Sequence, residues 1–76
     1  MKELIRHIAE ALADHPDQVE VSCIEGESSI IIELKVAPDD VGKVIGKGGQ
    51  TAKAMRKVLS AAATKLKKKS LLQIIE

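Results

Sequence analysis

The stretch Val44-Ile45-Gly46-Lys47-Gly48-Gly49-Gln50-Thr51 joins the end of one short helical pattern to the start of a longer one through a glycine-rich turn. Glycine lets the backbone approach a ligand closely and take positive φ. The helix that begins near Gln50 has unpaired N–H groups in its first turn, and these point at whatever sits in the turn. Lys47 places a mobile cation at the tip. The octapeptide is therefore a candidate site for phosphate. Glycines after a short helix also act as plain stop signals, but a stop does not require the preceding Gly-Lys or the basic helix that follows.

Outward from the turn, hydrophobic periodicity divides the chain into six elements. Leu4, Ile5, Ile8, Ala9 and Leu12 fall on one face at the helical period, so residues 2–14 read as an amphipathic helix that ends before Pro16. Val19, Val21 and Cys23 alternate with Glu20, Ser22 and Ile24, the pattern of a half-exposed strand. After the turn at Gly26, residues 30–36 read as a second strand. Its consecutive Ile30, Ile31 and Ile32 suit a central strand better than an edge.

Pro38 stops that strand, and Asp39 and Asp40 place negative charge in the first turn of a short helix ending near Ile45. From Gln50 to about Leu66, Met55, Val58, Leu59, Ala62 and Leu66 share one helical face. Lys53, Arg56, Lys57, Ser60 and Thr64 share the opposite one. Residues 71–75 form a last short strand. The first two strands should pair antiparallel, and the two helices before the third strand allow a right-handed parallel crossover.

Composition narrows the function. With 76 residues the expectation is one domain, 1–76, with a small core. There is no Phe, Trp or Tyr, so bases cannot stack on aromatic rings. No run reaches the length of a membrane span, and the charged first 14 residues are unlike a secretory leader, so the expected location is cytoplasmic. The single Cys23 cannot form an internal disulfide.

The net charge of +1 conceals a strong polarity: residues 1–40 carry ten acidic and three basic side chains, residues 41–76 one acidic and nine basic. The basic half begins at the glycine turn and favours an anionic partner there, while the acidic half opposes indiscriminate coating of polyanions. Lys65, Lys67, Lys68 and Lys69 have an equally good reading as a solvated helix end that complements the helix dipole.

Enzyme motifs fit poorly. A Walker loop needs Gly, four residues, then Gly-Lys-Ser/Thr, whereas here Gly42 is followed by Gly46, and Lys47 precedes Gly48. A dinucleotide fingerprint would need glycine at position 51, which is Thr. His7 shares a face with Glu3 and Glu10, but a solvated helix face explains that cluster. No nucleophile, base and orienting group can be nominated together, so no catalysis, cofactor, metal or small-molecule substrate is expected.

The element order αββααβ, with Gly-x-x-Gly between the fourth and fifth elements, resembles the type II KH domain, an α+β fold with a three-stranded mixed sheet and helices packed on one face. Within it, the stretch from Val36 to Gly49 resembles the short stand-alone bacterial RNA-binding KH proteins of the KhpA family, and the resemblance covers essentially the whole chain. It implies that Gly46, Lys47, Gly48 and Gly49 hold nucleic-acid backbone, with Gly49 also an approach point for the following helix. Lys47 would meet phosphate, with Lys43 also in the RNA-binding surface; Val44 and Ile45, which on a short helix read equally well as core, would line an apolar floor for bases, and Gln50, Thr51, Lys53 and Arg56 would continue the surface. One strand would form the opposite groove wall. Many family members have a bulkier third loop residue, so Gly48 should leave this loop more flexible.

The resemblance further implies single-stranded RNA as ligand and a role as RNA chaperone or post-transcriptional regulator linked to cell shape. It also implies a homodimer, or a heteromer with a larger KH-containing RNA-binding protein of the KhpB kind. The alternatives are a protein-interaction module on the same scaffold and a single-stranded DNA binder.

Overall fold

A computed structural model describes residues 2–76. Its elements are α1 (Lys2–Leu12), β1 (Glu20–Glu25), β2 (Ser29–Lys35), α2 (Val41–Ile45), α3 (Gln50–Lys65) and β3 (Lys69–Ile75), with 3-10 turns at Pro16–Gln18, Pro38–Asp40 and Lys47–Gly49. The sheet order is β1-β2-β3: β1 pairs antiparallel with β2, and β2 parallel with β3. This is the expected α+β arrangement of a type II KH fold.

β2 is central, as its isoleucine run requires, but only one of its faces is covered. Ile30, Ile32 and Leu34 point under the helices and are buried, while Ile31 lies half-buried on the open face. There it sits in a cross-strand row with Ile24 and Leu71. β3 starts two residues earlier than its apolar pattern indicates, because pairing extends to Ser29↔Lys69 and the Lys69 N–H donates to the Ser28 carbonyl at 2.9 Å.

The core joins Ile5 and Ala9 of α1, Val21 of β1, the three inward residues of β2, Val44 of α2, Met55, Leu59 and Ala63 of α3, and Leu72 of β3. Each wholly buried Leu or Ile contributes on the order of 1.5–3 kcal/mol. Two faces differ from the periodicity reading. α1 buries Ile5 and Ala9, whereas Leu4 and Leu12 stay largely exposed. α3 buries Ala52, Met55, Leu59 and Ala63, whereas Val58 and Leu66 are 44% and 53% exposed. Both stripes are narrower than the amphipathic faces, since a three-stranded sheet is too small to cover a wide one. Ala63 accordingly faces the core.

Candidate nucleic-acid interface

The five-residue α2 is too short to be stable alone, and tertiary contacts fix it. Asp40, directly before it, is wholly buried, and its carboxylate accepts the backbone N–H groups of Asp14 at 3.0 Å and His15 at 2.9 Å. Burial pushes this carboxyl up, but the two N–H donors and the attraction of His15 and Lys43 outweigh it and hold the group below the usual carboxylate range. Asp40 was expected only as a favourable first-turn charge. It is instead the bolt between the end of α1 and the segment that delivers the glycine turn. A buried carboxylate is legible in sequence only through its partners, and these lie 25 and 26 residues away.

Lys43, one helical turn before the loop, is paired with Asp14. The hydrogen bond from its ammonium to Asp14 raises its pKa against the opposing effect of desolvation, and Asp39 and Asp40 add attraction.

Gly46 ends α2 and donates to the Gly42 carbonyl at 2.9 Å. Its φ of 81° and ψ of 169° lie in a region that is essentially glycine-only. A Cβ there would collide with Thr51 Oγ1 and lie 2.9 Å from Thr51 Cβ, so Gly46 is where the loop closes against α3. The family resemblance gives that role to Gly49, but a Cβ on Gly49 meets nothing within 4 Å. Gly48 and Gly49 both have left-handed φ, 63° and 74°, and open surroundings. Gly49 and Gln50 donate back to the carbonyls of Gly46 and Lys47. The N–H groups of Lys47 and Gly48 have no acceptor among the loop and cap bonds of the described residues. They stand with the exposed Lys47 side chain at the tip.

From the loop, α3 carries exposed Gln50, Lys53 and Lys57 around a shallow hollow of about 300 Å³. Farther along, α3 and β3 enclose a groove of about 440 Å³, lined by Arg56, Ser60 and Thr64 on the helix and by Lys69 to Leu72 on the strand. Arg56 Nη2 reaches the Leu72 carbonyl at 3.4 Å across it. β3 is the strand that walls this groove. Periodicity alone does not place such a wall, and Ser60, Thr64, Lys68 and Lys69 are not among the residues that the family resemblance assigns to the surface. Only the parallel β2–β3 pairing brings Lys68 and Lys69 opposite the face of α3 that carries Ser60 and Thr64.

Gly46, Lys47, Gly48 and Gly49 run on into the shallow hollow of Gln50 and Lys53, whereas Arg56 lines the separate α3–β3 groove; Lys43 is exposed one helical turn before the loop, and Thr51 lies half-buried against Gly46. Val44 does not join them. It is 0% exposed and packs in the core, so no base can lie on it; of the apolar pair, Ile45 alone reaches the surface. Among the described residues there is no cluster of His, Cys, Asp and Glu able to hold a metal, and no helix long and apolar enough to cross a membrane.

Residues 2–74 match the family model described as KhpA/KhpB, KH domain. Proteins named RNA-binding protein KhpA from Clostridium acetobutylicum and Caldanaerobacter subterraneus subsp. tengcongensis are 57% and 59% identical over 75 residues, covering 99% of this chain and all of each relative. The protein of that name from Halalkalibacterium halodurans is 59% identical over 76 residues, the full length of both chains. With the glycine turn, the mixed sheet and the element order all in place, the chain belongs to the KhpA/KhpB family of KH domains, a non-enzymatic family.

Proposed function

We propose that this chain is a single-domain RNA-binding protein that grips about four nucleotides of a single strand between the Gly46–Gly49 turn and the α3–β3 groove. The observation that carries the reading is the turn itself. Bare backbone at Gly48 and Gly49, N–H groups at Lys47 and Gly48 and the Lys47 cation converge at the head of a 16-residue helix. Backbone donors and a helix N-terminus favour phosphate oxygens. The names of the relatives support RNA over DNA, since a grip on backbone reads the 2′-hydroxyl only incidentally.

The protein works in the cytoplasm as an RNA chaperone or post-transcriptional regulator. Four nucleotides give little affinity, so a second copy or a larger KH-containing partner of the KhpB kind raises effective concentration on the RNA.

The test is the double variant Lys47→Asp with Gly48→Asp. Both positions are exposed and a Cβ on Gly48 is unobstructed, so circular dichroism should show a folded protein, while two carboxylates where phosphate must lie should abolish binding in an RNA titration. Unchanged affinity in the folded variant would favour the second reading, a protein-docking module. The apolar row Ile24, Ile31 and Leu71 on the open sheet face favours that reading.

A further inference from the structure

The acidic half of the chain does more than offset the net charge. Two of its carboxylates reach across the fold and hold a lysine at each end of the nucleic-acid surface. Asp14, beyond the C-terminus of α1, pairs with Lys43 beside the glycine turn. Glu25, at the end of β1, pairs with Lys68 at 2.6 Å beside the mouth of the α3–β3 groove. These are the two salt bridges of the described residues, and in sequence the partners lie 29 and 43 residues apart. Neither pair is needed to close a helix or a turn. Lys68 is anchored by its backbone N–H to the Ala63 carbonyl, and Asp14 by its backbone N–H to Asp40.

We infer that Asp14 and Glu25 are specificity-determining residues, which occupy Lys43 and Lys68 so that charge alone does not bring a polyanion onto the surface. The inference rests on the RNA-binding reading above. A lysine free in solution carries condensed or diffuse counterion exchange into binding: each phosphate it neutralises releases cations from the nucleic acid, and affinity rises as salt falls. A lysine already neutralised by a carboxylate must give up that partner first, which cancels most of the gain. A ligand offering only charge, such as duplex DNA, loses that gain at both ends. A single strand seated in the turn keeps the backbone N–H contacts of Lys47 and Gly48 and the groove contacts of Arg56, which no carboxylate contests. The pairs therefore lower the non-specific part of binding more than the specific part.

The test compares four forms of the full chain: the unaltered protein, Asp14→Asn with Glu25→Gln, the same pair of changes with Lys43→Gln added, and a control, Glu3→Gln with Glu10→Gln. The control removes the same charge from exposed carboxylates of α1 that are in no ion pair among the described residues. Circular dichroism establishes folding, and titrations against a single-stranded RNA decamer and a duplex DNA of similar charge are run over a salt series. The released form should bind duplex DNA more tightly, by up to about fivefold per lysine, the upper limit for an exposed ion pair. Its duplex salt slope should steepen by about 0.9 per lysine that takes a phosphate. Its preference for the single strand should fall. Adding Lys43→Gln should remove the part of the gain due to Asp14. An equal gain in the control, an unchanged duplex affinity, or the same factor of gain on both ligands would overturn the inference while leaving the RNA-binding reading intact. Loss of the loop-dependent RNA binding in the unaltered protein would overturn both.

Discussion

The two ends of α3 solve the same problem differently. Both reverse the chain through positive φ: the N-terminal turn with Gly46, Gly48 and Gly49 at 81°, 63° and 74°, the C-terminal turn with Lys67 at 58°. At the C-terminal end the Lys68 N–H bonds to the Ala63 carbonyl and the Lys67 N–H to that of Thr64, both at 2.9 Å, the hydrogen-bond pattern of a Schellman stop. Glycine usually fills that left-handed position, yet here a lysine does. A left-handed φ by itself therefore does not force glycine in this fold. At the N-terminal end Gly46 has a steric reason, the contact with Thr51, but a Cβ on Gly48 or Gly49 would enter open space. What glycine supplies at those two positions, beyond φ, is uncovered backbone, which is what a phosphate approaching the N–H groups of the tip needs.

The largest effect that separates the two turns should come from Gly46→Ala. The substitution combines a glycine-only conformation, costing about 1–3 kcal/mol, with a methyl pressed against Thr51, costing a similar amount. Urea denaturation should show a loss of about 3 kcal/mol, and a loss below half of that would mean that the loop yields freely and that the steric distinction between Gly46 and its neighbours is false.

Gly49→Ala should cost far less stability, about 1 kcal/mol or under, because the left-handed strain of a non-glycine residue is partly offset by a stiffer unfolded chain. Binding should nonetheless weaken by tenfold or more in an RNA titration, since the added methyl covers backbone at the site. A folded variant with native affinity would show that φ was all that mattered there, as at Lys67.

The smallest effect belongs to the other turn. Lys67→Gly relieves a left-handed lysine, a gain of about 1–2 kcal/mol, but frees the unfolded chain at a cost of about 0.4–1 kcal/mol. The melting temperature should rise by a few degrees, about 4–8 °C per kcal/mol for a chain of this size. A fall would mean that the Lys67 side chain makes a stabilising contact that outweighs the strain of its φ.

What the sequence determined by itself is local. The six elements and their order, the antiparallel and parallel pairings, the central place of Ile30–Ile32 and the glycine turn ahead of a basic helix all follow from periodicity, breakers and chain connectivity, which act over a few residues. Their limits were of the same kind. Val44 reads as groove or core equally well on a five-residue helix, Val58 and Leu66 read as core because they lie on an apolar face, and Gly49 reads as a packing contact because it precedes a helix. Only the tertiary structure decided these, because burial depends on which neighbours arrive. The narrow sheet leaves Val58 and Leu66 in water, Asp40 becomes buried because two N–H groups from a distant turn meet it, and β3 becomes the groove wall because it pairs parallel to β2. The pairing of Asp14 with Lys43 and of Glu25 with Lys68 belongs to the same class: charge separation along the chain was visible at once, but where opposite charges meet was fixed only when the two halves folded onto each other.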